Sequence, residues 1–419
     1  VLRALSALVL ALDAAPARAD LAPLGDHAAR TVVVLVFEGL PSALLEEVDA
    51  PAFERMRREG VSTHSLDPVF PTLPVVGGFS LSTGCRPERH GIVSDRFRDP
   101  QRGRFDHSRD ADWQIGCEGM HEAAERQGVR TAALGWYGGV SKSRGALATY
   151  VSDEKSAPGI PLDLERAQEV VRLLALAERE RPRLILASFR GPDEAVRARG
   201  LDSEAARAAA RAADEALGSV LAAIDSLPDR DRFVLFAVSA EGARPATTML
   251  NLDRVLARRS IAAKAETSGG VALLYLDDPA AVEGAERSLR EHPQLEVFRP
   301  ASPPAWAKLG SGPRAGDLVL AARPSIFIED GAILPAWARH FARFAPESFW
   351  GGFLRGASNG YPPGTPGVAG LLYARGSGIA RGRRLDSARV VDLHPTVLDL
   401  LLLDPGDPVD GRVLSAIRE

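Results

Sequence analysis

The sequence predicts an α/β protein: a doubly wound sandwich on a mostly parallel central sheet, with one small inserted α+β lobe. Strand-like runs of β-branched and apolar residues recur along the 419 residues, and helical patterns separate them. The runs are apolar almost without interruption, as strands of a parallel sheet covered on both faces must be. From Leu252 to Ala345 the alternation changes character.

The expected strands of the sandwich are Thr31 to Glu38, Thr131 to Trp136, Arg183 to Phe189, Arg232 to Ser239 and Gly370 to Ala374. Helices are expected over Ala43 to Glu59, His121 to Gln127, Leu162 to Arg179, Ser203 to Leu227 and Val390 to Leu403. Residues 20–251 and 346–419 are therefore assigned to the α/β core, and 252–345 to the inserted lobe. Within the lobe, Val271 to Leu276, Ala280 to Glu291 and Leu295 to Arg299 read as strand, helix and strand, followed by a region carrying Trp306, Trp337 and Phe341 to Phe344.

Residues 1–19 have the pattern of a signal peptide: Arg3, an apolar run from Ala4 to Leu12, then Ala17-Arg18-Ala19 as a small-residue cleavage site. The run is too short to span a bilayer, no later segment reaches the required length, and an exported, periplasmic or extracellular location is expected. Hydrophobic residues make up 45% of the chain, enough for a large core, and the formal charge of −4 gives no electrostatic reason to expect nucleic acid or an anionic membrane as partner. The two cysteines, Cys85 and Cys117, leave open both a disulfide and a pair of buried thiols.

Phe70-Pro71-Thr72-Leu73-Pro74-Val75-Val76-Gly77-Gly78-Phe79-Ser80-Leu81-Ser82-Thr83-Gly84, followed by Pro87-Glu88-Arg89-His90-Gly91-Ile92, carries the strongest signal. It resembles the nucleophile segment of the type I phosphodiesterase/nucleotide pyrophosphatase family of the alkaline phosphatase superfamily, close to F-P-T-K-T-F-P-N-H-Y-T-L-V-T-G and then P-E-x-H-G-I. The resemblance covers nearly all of the chain after residue 19. It implies an alkaline phosphatase-like core and phosphoester hydrolysis with two zinc ions, which stabilise attacking and leaving oxygens.

The framing residues match while the reactive ones differ. Pro74 stands at the position of the family's nucleophilic Thr, Val75 at that of an aromatic beside the nucleobase, and Gly77 at that of an Asn that holds phosphoryl oxygens. The S-x-D-G motif becomes Val36-Phe37-Glu38-Gly39. In the D-x-x-G-H motif Asp193 is kept and the His position holds Arg197, which has no lone pair for a metal. S-D-H-G becomes Ser239-Ala240-Glu241-Gly242, and H-G-Y becomes Asn359-Gly360-Tyr361.

These changes imply a degenerate metal site at Glu38, Asp193, Arg197, Ala240, Glu241 and Asn359, with no catalytic residue, no metal and no cofactor expected. Arg197 is expected to close the remaining carboxylates by ion pairs, to Asp193 and to Glu38 or Glu241. The expected function is that of an exported pseudoenzyme with a binding or scaffolding role, its small-molecule or protein ligand lying near the inserted lobe. The alternative is an active hydrolase using Glu38, Asp193, Glu241 and Asn359 with a non-standard metal.

Three other motifs carry less. Cys85-Arg86-Pro87-Glu88-Arg89 matches the C-x-P-x-R sulfatase signature, but it follows Thr83-Gly84 instead of preceding such a pair. Thr72 reads as a helix cap before Pro74. The eight histidines are scattered and read mostly as surface or capping residues.

Overall fold

In the computed structural model, the described residues are 30–139, 146–152, 162–329 and 346–419. The signal-peptide pattern, Trp337 and Phe341 to Phe344 lie outside them.

The central sheet runs in the order Arg383–Arg384, Val61–Asp67 (β2), Gly370–Gly376, Phe233–Ser239, Thr31–Phe37 (β1), Leu184–Phe189, Thr131–Leu134, Tyr150–Ser152, and Ala388–Arg389 also pairs with β2. Gly370–Gly376 is antiparallel to both of its neighbours, and the other pairings are parallel. The mostly parallel α/β sheet is therefore present. All seven residues of β1 are buried, because it sits mid-sheet between Phe233–Ser239 and Leu184–Phe189 with a core on each face. Val33, Leu35 and Phe37 face the core that includes the helix Glu204–Asp225, whereas Val32, Val34 and Val36 face the one that includes Leu393 and Leu398. This period-2 division of an all-apolar strand is what a two-sided sheet demands.

The expected helix Ala43 to Glu59 is two helices, Ser42–Glu46 (α1) and Pro51–Glu59 (α2). Pro51 restricts Ala50 to a non-helical conformation and starts the second helix at its first position. Leu162–Leu174 stops short of Arg179, and Val390 to Leu403 resolves into a 3-10 turn at Val390–Asp392 and the helix Leu393–Leu400.

The interval 252–345 contains a four-stranded antiparallel sheet in the order Ala263–Ser268, Val271–Leu276, Leu318–Ala322, Leu295–Phe298. Leu318–Ala322 thus separates the two strands of the expected strand-helix-strand unit. Trp306 packs edge-on against Phe70 and Phe298, whose centroids lie 4.7 and 5.6 Å away. Cys85 and Cys117 form a disulfide, tying the turn after the helix Pro74–Thr83 (α3) to the segment that leads into Met120–Arg126.

Candidate functional site

Parallel strands end on one edge of the sheet, so residues that follow them converge there. Glu38 and Gly39 follow β1, Ala240 and Glu241 follow Phe233–Ser239, and Asp193 lies in the first turn of the helix Gly191–Arg199 after Leu184–Phe189. The six positions expected from the sequence do meet. Gly39 N–H donates to Glu241 Oε1 at 3.0 Å. Asn359 Nδ2 donates to Asp193 Oδ1 at 3.3 Å. Gly39 takes a left-handed φ of 58°, and a Cβ there would sit 2.9 Å from Asp193 Cβ, so both backbone sign and space require glycine.

Arg197 Nε lies 2.8 Å from Asp193 Oδ2, one helical turn along, as the i,i+4 spacing within Gly191–Arg199 allows. The expected second partner is a correction. Arg197 forms no ion pair with Glu38 or Glu241; Glu38 is closed by Arg109, which motif comparison did not single out. Arg109 Nη2 is 2.6 Å from Glu38 Oε1, its Nη1 donates to the Gly135 carbonyl, and its guanidinium lies 4.5 Å from the centroid of Tyr137. Ser188 Oγ also donates to Glu38 Oε1. Burial opposes ionisation of Glu38, yet Arg109 and Ser188 outweigh it and hold the carboxyl below its ordinary value.

The other carboxyls go the opposite way. Burial pushes Asp193 up to about 6, against the pull of Arg197. Glu241 is raised well above its ordinary value by burial first and then by Asp193 and Glu38, which favours its neutral form, and its Oε2 has no hydrogen-bond partner among the described residues. Asp95, a fourth buried carboxyl, accepts from the Val75 N–H at 3.3 Å in the first turn of α3, is raised by burial, and was missed by sequence reasoning.

Pro74 occupies the first position of α3, where its missing N–H costs nothing and no hydroxyl is offered. Val75 is buried in a core cluster with Phe70 and Leu73 and does not form a platform for a ligand. Gly77 faces Ala240 and Glu241: a Cβ there would lie 2.9 Å from Glu241 Oε2 and 3.0 Å from Ala240 Cβ. The residue ahead of α3, Leu73, makes no side-chain cap, and Thr72 is not a cap either. Thr72 Oγ1 donates to the Tyr361 carbonyl at 3.0 Å and accepts from Gly360 N–H at 3.1 Å, bolting the Pro74 turn to the segment that carries Asn359. His121 and His394 differ from the surface or capping reading: both are fully buried, as is the structural His90, and burial lowers each of the three to about 3 or 4.

Two zinc ions do not fit this donor set. A guanidinium sits on Asp193, another on Glu38, Ala240 offers no donor, and Asn359 turns its amide nitrogen to Asp193. Among the described residues no group of three or more His, Cys, Asp or Glu side chains is arranged to hold a metal ion.

A mostly parallel α/β sandwich with acidic residues gathered beyond its strand ends defines the alkaline phosphatase-like class. The type I phosphodiesterase / nucleotide pyrophosphatase family model matches residues 32–342, and the chain belongs to that family. It is 30% identical over 182 residues to an uncharacterized pyrophosphatase/phosphodiesterase of Schizosaccharomyces pombe, covering 41% of this chain and 36% of that one. Human ectonucleotide pyrophosphatase/phosphodiesterase family member 7 is 25% identical over 229 residues, 53% of this chain and 50% of its own. The matches thus span a third to a half of those relatives. Mouse bis(5'-adenosyl)-triphosphatase enpp4 matches at 23% over 389 residues, 91% of this chain and 79% of its own. Murine ectonucleotide pyrophosphatase/phosphodiesterase 5 superposes with a TM-score of 0.80 at 18% identity, over 93% of this chain and 100% of that one, which establishes the shared fold.

Proposed function

We propose that this chain is an exported phosphodiesterase/nucleotide pyrophosphatase relative that has lost metal-dependent phosphoester hydrolysis and serves as a binding or scaffolding protein. The observation that carries the reading is the Arg197–Asp193 ion pair at 2.8 Å, which places a permanent cation where the family motif has a metal-binding imidazole. Pro74 adds to it, since a nucleophile needs a hydroxyl and a means of activating it, and neither is at that position. The Cys85–Cys117 disulfide and the likeness to ectonucleotide enzymes support export. No described helix is long and apolar enough to cross a membrane.

The test is elemental analysis of the purified chain alongside hydrolysis of bis(p-nitrophenyl) phosphate. Substoichiometric zinc and background turnover are expected, and Pro74→Thr leaves turnover at background because no Lewis acid is restored. Two tightly held zinc ions per chain, or turnover abolished by a chelator, would end this reading in favour of the hydrolase.

A further inference from the structure

A small cavity remains beside the converted site, between the sandwich and the four-stranded sheet. Its volume is about 30 Å³ and its wall includes Arg96, Arg197, Arg355, Asp95, Ser268 and Asn359. The space holds about two water molecules, or one small ion in their place. Three arginines line it, with Asp95 and His107, which lies 3.7 Å from Asp95, whereas Asp193 and Glu329, the acids that pair with Arg197 and Arg355, are not part of the wall.

The donors are not used up. Arg197 Nε lies 2.8 Å from Asp193 Oδ2 yet is buried with no hydrogen-bond partner among the described residues. Arg355 gives Nη2 to Glu329 at 2.7 Å, and Arg96 gives Nε to Asp106 and Nη1 to the Thr267 carbonyl. Ser268 is 8% exposed, yet its Oγ is buried with no hydrogen-bond partner among the described residues. A buried hydroxyl without a partner needs explaining. Asp95 already fills the anion position at the start of α3, so a second anion is directed to the arginine side of the cavity.

We propose that this cavity binds a free tetrahedral oxyanion, inorganic phosphate or sulfate, through the terminal nitrogens of Arg197, with Arg96 and Arg355 beside it and Ser268 Oγ as a further donor. The inference rests on the loss of metal described above: guanidinium takes over the recognition of oxyanion oxygens, for which its planar fork is suited. Free ions are favoured over nucleotides because Val75 is buried away from the cavity and gives a base no surface to stack on.

The test is calorimetry on the full chain with phosphate, sulfate and AMP, with and without EDTA. Saturable binding of phosphate or sulfate that survives EDTA is expected, with no heat from AMP. The phosphate and sulfate arms identify which ion is preferred. Arg197→Lys, which keeps charge but loses the fork, weakens binding by about tenfold or more. Ser268→Ala, which leaves every ion pair intact, weakens it by about tenfold. Arg287→Ala, on an exposed helix face, leaves it unchanged. Absence of saturable binding, or wild-type affinity in both the Arg197→Lys and the Ser268→Ala variants, overturns the site while leaving the loss of hydrolysis intact. Binding that EDTA abolishes overturns both. AMP binding as tightly as phosphate overturns the restriction to free ions.

Discussion

Arg109 Nη2 lies 2.6 Å from Glu38 Oε1 in the interior of the candidate site, with both side chains less than a tenth exposed. The sequence places them 71 residues apart. Glu38 stays ionised because this guanidinium and Ser188 reach it, so the pair stands or falls together. Arg109→Ala strands a buried carboxylate and should cost about 3–5 kcal/mol in denaturant unfolding. Arg109→Ala combined with Glu38→Gln should recover most of it. A single variant that unfolds at the wild-type midpoint would show that Glu38 is neutral in the folded protein.

Arg197 and Asp193 are less enclosed, with Arg197 29% and Asp193 5% exposed in their side chains. Water can solvate part of the guanidinium, so Arg197→Ala should cost less than Arg109→Ala, about 2 kcal/mol. The double variant Arg197→Ala/Asp193→Asn, analysed as a thermodynamic cycle by urea unfolding, should show favourable coupling between the two sites. Zero coupling would place the pair in effective contact with solvent.

Gly77 is small because Glu241 is large. A methyl there meets Glu241 Oε2 at 2.9 Å and Ala240 Cβ at 3.0 Å, both buried, so Gly77→Ala should destabilise by about 1–3 kcal/mol through overpacking. Truncating Glu241 to Ala in the Gly77→Ala background should relieve the strain, which the melting temperatures of the single and double variants would reveal. Equal penalties for Gly77→Ala in both backgrounds would remove Glu241 as its cause.

The sandwich was legible because its strands are apolar on both faces, a pattern independent of partner. β2 was not: Val61–Asp67 mixes Ser, Thr and His with apolar residues, since its far end is exposed. At the site, the positions named by motif comparison, Glu38, Asp193, Arg197, Ala240, Glu241 and Asn359, lie together in the fold, each being anchored to a strand end or a short local pattern. Arg109 and Asp95 lie on irregular segments whose contacts arise only on folding, and no local spacing marks them. Arg197 was assigned too many partners because the carboxylate count alone cannot say which cation reaches which acid. Burial of His90 and His394 was equally hidden, since it depends on their packing around α3, where Ser80 Oγ and the Ser82 carbonyl meet their rings at 2.8 Å.

Glu241 sets the pH response of the site. Its folded-state pKa is raised above the unfolded value by burial first and then by Asp193 and Glu38, so the folded protein binds a proton that the unfolded chain releases above about pH 4.5. Stability from this group is therefore fully present below pH 4.5 and falls as pH rises, by at most about 1.4 kcal/mol per pH unit. Buried His90, His121 and His394 act in the opposite sense. Their lowered values favour the folded state above about pH 6.5, and that stability is lost as pH falls toward 4. Glu241→Gln isolates the acid. Glutamine mimics the protonated form that burial favours, keeps an oxygen for the Gly39 N–H, and offers an amide N–H₂ to the negative surroundings of Asp193 and Glu38. The variant should match wild type at pH 4.5 and become progressively more stable than wild type toward pH 7, while the histidine-driven loss on acidification becomes steeper. Urea midpoints measured across that range decide the matter: a difference that does not change with pH would mean that Glu241 is ionised in the folded protein, and the division of charge among the site's four carboxyls would have to be redrawn.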